Sequence, residues 1–431
     1  MTHGGPRPAG PRGPIPAFLR RSFPHLQPRR LAGIRWFTLD ALFSQVSGNF
    51  YEDFFILFAL ASGIPANRIG LLASAGGLAS VLAFIPGALA AGRVRTRKPL
   101  ILITGGGIAR LAILGLAFLP GIPVGGTAVI FGIFGLRFTT TLMGSFGAPA
   151  WTTFAADLVP QGMRGRYFAA RNAIISLIGA GASAAAGVII RSLDPRSPDG
   201  LLGYRMSFTI AFAVGVVSTI CFSRIPEAPA RIGSRISRRA RDVIALVRRN
   251  PAFTWLAVSS GLWGLALNAA APYFNVYLVT QLGGNAQVVG IGSGIAALTG
   301  LAGLLVFGRM ADSRGNRKVL VLTGLVIPFM PTLWVFVRVP WHTFITNIPS
   351  GFFWAGYTLA SFNLLLEMSP PEDREAGVAL YQTVVAVSAV VGPLLGGWLA
   401  GLLGYVPLFV ISGAGRLAAT LLFIALIRPK Q

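Results

Sequence analysis

Long apolar stretches separated by short polar breaks occupy nearly the whole chain. Residues 250–308 contain no Asp, Glu, Lys, Arg or His. As one α-helix that run would be about 88 Å long at ~1.5 Å per residue, far beyond the ~30 Å hydrocarbon core of a bilayer. It has to fold back, and Gly283-Gly284-Asn285 is the natural break. Residues 376–415 form a second uncharged run, interrupted near 401–404. The same reasoning predicts twelve membrane-spanning helices. Six lie at about 36–61, 69–91, 99–119, 126–154, 168–190 and 204–223, and six at about 252–279, 286–308, 318–337, 342–366, 376–400 and 405–427.

Composition agrees. Of the 431 residues, 54% are hydrophobic and 12% charged, against about 25% charged in a soluble domain. A soluble enzyme, a fibre and a disordered scaffold are excluded. The net charge of +24 would suggest nucleic acid until the basic residues are placed. With the N-terminus inside, 28 of them fall in cytoplasmic segments and five outside. That is the positive-inside bias of a multi-pass protein of a bacterial-type inner (plasma) membrane, with both termini cytoplasmic. The charge therefore reflects the lipid bilayer, and nucleic acid is not an expected partner.

Residues 1–35 are rich in Pro, Gly and Arg with no apolar core segment, as in a disordered basic cytoplasmic tail rather than a signal peptide. The single Cys221 cannot form an internal disulfide, and His3, His25 and His342 make no metal cluster. No Gly-Lys-Ser/Thr phosphate loop occurs, so neither ATP nor any other cofactor is expected.

The chain repeats itself. Asn49 matches Asn268, Ile69-Gly70 matches Val289-Gly290, and Arg97-Lys98 matches Arg317-Lys318, at offsets of 219 or 220. Asp157-x-x-Pro160-x-x-x-Arg164 matches Glu367-x-x-Pro370-x-x-x-Arg374 at 210. A six-helix unit over 36–223 is thus followed by a second over 252–427 in the same orientation. Between them, residues 224–251 place Ile232, Ile236, Ala240, Val243 and Val247 at helical spacing among arginines. That predicts an amphipathic helix on the anionic cytoplasmic leaflet. Residues 428–431 are a short cytoplasmic tail.

Charges inside the membrane cost about 3 kcal/mol or more, so each needs a reason. The candidates are Asp40, Glu52 and Asp53 in the first helix against Arg110, Arg137 and Arg416, three acids and three bases. At 100° per residue, Asp40, Ser44, Ser47 and Tyr51 share one face, and Gln45, Asn49, Glu52 and Asp53 another. Helix counting puts Glu52 and Arg137 within about 9 Å of each other in depth, close enough for two long side chains to meet. Such a pair can couple proton binding to conformation, because protonating the acid breaks it. Asp40 is open to a structural pairing with Arg35 or Arg110. The second half has no matching acids: Ala271 and Pro272 stand there. It offers Asn268, Tyr273, Asn275 and Tyr277 on helix 7, and Asn347, Trp354, Tyr357 and Ser361 within about 80° on helix 10. Amides and aromatics of this kind hydrogen-bond to and stack on organic solutes.

Gly308-Arg-Met-Ala-Asp312-Ser-Arg314-Gly315-Asn-Arg317-Lys318 resembles the G-x-x-x-D-x-x-G-x-R-K signature of the major facilitator superfamily. The first-half copy, Gly87 to Lys98, has lost its acid. Arg137, Pro149, Asp157 and Arg164 are similar to the family's fourth-helix pattern, with Thr140-Thr141 in place of the usual Gln-Gly, and Gly392-Pro393 falls in helix 11. The resemblance covers about 36–427. It implies two six-helix bundles rocking about a central site, lined by helices 1, 4, 7 and 10. In the signature, Asp312 and Arg317 are expected to pair as a latch, with Gly308 and Gly315 allowing close packing and a tight turn. The expectation is an all-α, twelve-helix secondary transporter of a small organic solute, proton-coupled, with export favoured over uptake, acting as a monomer. A uniporter and a non-transporting membrane sensor are the alternatives, and an enzyme is not expected.

Overall fold

The computed structural model describes residues 28–122, 125–159, 164–194, 199–226, 250–368 and 374–427. The first half contains α1 (Pro28–Tyr51, continued by Glu52–Phe54 and Phe55–Ala61), α2 (Ile69–Arg93), α3 (Lys98–Ile103 to Ala109–Phe118), α4 (Gly126–Leu158), α5 (Arg164–Leu193) and α6 (Leu202–Ser223). The second half contains α7 (Pro251–Thr280), α8 (Ala286–Arg314), α9 (Asn316–Val326 and Phe329–Leu333), α10 (His342–Met368), α11 (Arg374–Leu403) and α12 (Tyr405–Leu426). These twelve crossings are the twelve the hydropathy pattern predicts. The 224–251 linker, except for residues 224–226, 250 and 251, lies outside the described residues, as do residues 1–27 and 428–431; residues 28–35, expected in the disordered tail, already belong to α1.

Local chemistry sets the breaks. Asn250 caps α7 by accepting from Phe253 N at 3.1 Å, with Pro251 at the first helical position. Asn285 caps α8 by accepting from Val288 N at 3.2 Å. Gly315 (φ 84°) ends α8 in the left-handed region, so the short α8–α9 turn depends on it. Three helices are less regular than the periodicity suggests. α1 tightens into a 3₁₀ turn at Glu52–Phe54, α3 widens into a π turn at Thr104–Ile108, and α9 breaks around Pro328.

Among the described residues, nine helices are long and apolar enough to cross a bilayer by composition alone. The three that fall short are α1, α7 and α10, and all three contribute to the wall of one internal cavity. Large apolar side chains such as Phe131, Leu305 and Trp398 point outward, as lipid requires. The repeat is visible in single hydrogen bonds. Thr219 Oγ1 donates to Gly106 O (α6 to α3) at 3.1 Å, and Thr420 Oγ1 to Gly324 O (α12 to α9) at 2.9 Å.

An even number of crossings returns α12 to the side where α1 begins, the terminal side; the opposite side is distal. The largest apolar cluster is distal and joins both bundles, gathering Phe54, Phe58 and Ile190 with Tyr273, Val276 and Phe409. On the terminal side each bundle keeps its own core: Ile34, Phe37 and Phe154 in one, Phe253, Phe307 and Phe423 in the other. The backbone approaches between bundles are distal too. Gly290 of α8 lies directly against the Ser183 carbonyl of α5, where a Cβ would collide. Ser74 Oγ of α2 donates to Val390 O of α11 at 2.7 Å. The bundles are therefore zipped together distally and separate on the terminal side.

Candidate functional site

The central cavity, about 530 Å³, is walled by Glu52 and Asp53 on one side and by residues of α7–α10 and α12 on the other. The 3₁₀ turn splays the two neighbouring acids. Glu52 turns to α4, where Arg137 Nη1 donates to both of its carboxylate oxygens at 2.9 Å and to Tyr51 Oη at 3.0 Å. The guanidinium also lies 4.7 Å from the Phe55 ring. The depth count thus placed these two residues correctly, and the Glu52 side chain remains 52% exposed toward the cavity. Asp53 turns to α5. It accepts from Ser183 Oγ at 2.5 Å and from Asn49 Nδ2 at 3.0 Å, and Gln45 Nε2 in turn donates to Asn49 Oδ1 at 2.7 Å. Gln45 and Asn49 thus orient Asp53 and do not line the central cavity. Ser183 is the residue whose carbonyl receives Gly290, so Asp53 is one hydrogen bond from the distal seam.

Asp40 belongs to a second site. It accepts from Ser218 Oγ at 2.6 Å, and Arg110 Nη2 donates to that hydroxyl at 3.0 Å, so Arg110 is linked to Asp40 through a serine. A smaller cavity of about 280 Å³ is lined by Asp40, Ser44, Gln45, Trp151, Arg171 and Asn172 among others. The tally of three bases omitted Arg171. It is buried, 4.8 Å from the Phe37 ring. Its position just inside the predicted fifth span was the available signal.

In the second half, Asn268, Asn275, Asn347 and Trp354 line the central cavity. Asn268 also donates to Gly264 O at 2.8 Å. Two aromatics depart from the expectation. Tyr273 is buried against α11, its hydroxyl donating to Pro393 O at 3.1 Å. Tyr357 stacks on Trp263 at 4.1 Å behind the cavity wall, while Trp354 faces the cavity. Both tyrosines pack helices together, because α7 and α10 bury one aromatic face in their own bundle. Thr346, Ser350 and Trp334 also line the cavity and were not singled out by sequence.

A sequence profile of the Major Facilitator Superfamily matches residues 42–289 and 265–431, nearly the whole chain. The chain belongs to the Major Facilitator Superfamily. Its members are membrane transporters rather than enzymes. The multi-drug resistance efflux pump PmrA homolog of Lactococcus lactis is 28% identical over 183 residues, 41% of this chain and 44% of that protein. The transcription regulatory protein OpdE of Pseudomonas aeruginosa is 26% identical over 240 residues, 53% of this chain and 57% of that protein. The chain thus spans about half the length, or less, of these curated relatives. Among solved structures, a point mutant of the nucleoside transporter NupG superposes with a TM-score of 0.74 at 12% identity, over 92% of this chain and all of that one. A bacterial homologue of the iron transporter ferroportin, in its inward-facing state, gives 0.72 at 16% identity, over 93% and 99% of the two chains.

The superfamily signature takes a form the sequence did not predict. Asp312 is exposed and makes no ion pair among the described residues. Arg317 instead donates from Nε and Nη2 to the Ile427 carbonyl at 3.2 and 2.7 Å. The end of α12 leaves carbonyls without helical partners, and a nearby guanidinium satisfies one. The expected Asp312–Arg317 pair is therefore not formed in this conformation. Lys318 is exposed, and a Cβ at Gly308 would meet nothing, so only Gly315 has its predicted role. Conversely, Arg97 of the degenerate first copy does find an acid: it pairs with Asp157 at the end of α4 at 2.7 Å. At the matching place in the second half, Glu367 accepts from Asn316 Nδ2. Arg164 and Arg374 open α5 and α11, and their side chains lie outside the described residues.

Proposed function

We propose that the protein is a proton-coupled secondary transporter that moves a small organic solute across the inner (plasma) membrane by alternating access. Its terminal side is cytoplasmic, as the 28-to-5 distribution of basic residues supports, and the conformation described is the one open to the cytoplasm. The carrying observation is Glu52, which lines a 530 Å³ cavity and is paired behind it with Arg137 at 2.9 Å. Arg137 is a permanent cation, so the ion pair exists only while Glu52 carries its charge. A proton arriving from the cavity neutralises Glu52, releases Arg137 and changes the contact between α1 and α4. Asp53, beside it, carries the same signal to the α5–α8 seam through Ser183. Relatives named as multi-drug resistance efflux pumps favour export.

The test is flux in proteoliposomes. Glu52→Gln keeps size and hydrogen bonding but does not titrate. Substrate exchange should survive, while accumulation driven by a pH gradient should fall at least ~10-fold, the equivalent of about 1.4 kcal/mol. Normal pH-driven accumulation in Glu52→Gln and Asp53→Asn, singly and together, would remove these acids as the coupling site and leave a uniporter.

A further inference from the structure

The membrane-embedded charges do not balance inside the protein. Arg137 pairs with Glu52, and Arg110 reaches Asp40 through Ser218. Arg416, midway along α12, has no carboxylate within ion-pair distance among the described residues. It is 97% buried, being 3% exposed. Its Nη2 donates to Ser412 Oγ at 3.0 Å, its guanidinium lies 5.8 Å from the Trp263 ring, and its Nε is buried without a partner. It lines the central cavity. Across that cavity stands Asp53, which has hydroxyl and amide partners but no base among the described residues.

The internal repeat shows what is missing. Ser47 Oγ bonds Ala211 O at 2.6 Å between α1 and α6, and Ser412 Oγ bonds Ala266 O at 2.6 Å between α12 and α7. Ser47 and Ala266 are 219 residues apart, and Ala211 and Ser412 201. By this register Arg416 corresponds to Gly215, the glycine over which the Arg110 guanidinium lies; any Cβ there would strike Arg110 Nη1. Each half therefore puts a guanidinium beside the same helix contact, from α3 in one and α12 in the other. Asp40, the acid serving Arg110, corresponds to Ser259. The second half has kept the cation and carries no acid for it. A buried charge with no counter-ion is costly in a membrane, unless its counter-ion arrives from the cavity.

We propose that Arg416 is an anion-recognition residue of the substrate site, and that the cavity selects amphoteric organic solutes, an anionic group such as a carboxylate binding Arg416 and a cationic group facing Asp53 and Glu52. The proposal rests on the transporter reading for its biological sense but not for its test. A cavity of 530 Å³ is in the range that holds drug-sized molecules. The amides of Asn268 and Asn347, on the same wall as Arg416, supply neutral hydrogen bonds along the solute.

The experiment reads binding without flux. The probes are 4-(aminomethyl)benzoate, 4′-(aminomethyl)biphenyl-4-carboxylate and 11-aminoundecanoate, each with its methyl ester, which is only a cation, and its N-acetyl derivative, which is only an anion. Thermal stabilisation of the purified full-length chain is titrated with each. At least one zwitterion should bind at least ~10-fold more tightly than both of its derivatives. Arg416→Gln should lose that margin for the acid and the N-acetyl form while binding the ester as before. Ser259→Asp guards against a variant that fails to fold: it supplies the missing acid, so it should raise the melting temperature and abolish the preference for anionic probes. Equal binding of acid and ester by the wild type, no binding of any zwitterion, or an unchanged anion preference in a folded Ser259→Asp protein would each overturn the proposal. Any of these with pH-driven flux intact would leave the transporter reading standing. Binding as predicted without any flux would sink the transporter reading instead and leave a sensor.

Discussion

At the scale of single residues, the membrane interior treats similar carboxylates differently. Glu52 faces water in the cavity, so part of its charge is solvated. Asp40 is buried, and its charge is held by Ser218 with Arg110 and Arg171 nearby. Removing it leaves two guanidiniums without their acid. Asp40→Ala should therefore cost about 3–5 kcal/mol, the range for breaking a buried ionic network. Asp40→Asn, which still accepts from Ser218, should cost less, about 1–3 kcal/mol. Thermal unfolding in detergent measures both, and equal, small effects would make Asp40 a pathway residue rather than a structural one. Sequence made Glu52 and Arg137 legible because depth along a helix is simple counting. It missed Arg171 because three acids against three bases looked complete. It misplaced Tyr273 and Tyr357 because a helical wheel shows which residues share a face, but not which neighbour that face meets.

At the scale of elements, the spans and their breaks were legible. Charge-free runs too long for a bilayer must fold back, and Gly283 and Gly404 mark where. The 3₁₀ turn in α1 was not legible, since it depends on Glu52 and Asp53 finding partners on different helices. The seam was not legible either: small residues pack α5 against α8, and nothing in hydropathy distinguishes a seam glycine from a lipid-facing one. Gly290→Val tests that seam. Its Cβ would enter the space held by the Ser183 carbonyl, and the overpacking strain of about 1–3 kcal/mol falls on the distally closed state alone. The population should shift toward the distally open state by roughly 5- to 150-fold. Spin labels at Arg68 and Leu402, on the distal ends of the two bundles, should move apart. An unchanged distance distribution in a folded variant would show that the seam yields locally and does not control the equilibrium.

At the scale of the whole molecule, the alternating access proposed above gives a reason for the missing latch. In the described conformation Arg317 satisfies the Ile427 carbonyl just past α12, and Asp312 faces solvent. In that proposal, closing the terminal side brings the α8–α9 turn toward the other bundle, where Asp312 can take up a cationic partner. An acid used in only one state affects the equilibrium between states without affecting the solute's contacts. Asp312→Asn should therefore destabilise the terminally closed state by about 0.5–1 kcal/mol, the value of an exposed ion pair, which is roughly a two- to five-fold shift. Substrate affinity in the open state should hardly change, while turnover slows because return through the closed state is disfavoured. Ser44, exposed in the cavity between α1, α4 and α5, reports on this directly. A cysteine placed there in membrane vesicles should react faster with an impermeant maleimide applied from the terminal side when Asp312 is replaced. If labelling, affinity and turnover all match the parent protein, the signature loop serves membrane orientation alone, and the gate lies in the Arg97–Asp157 contact of the other half.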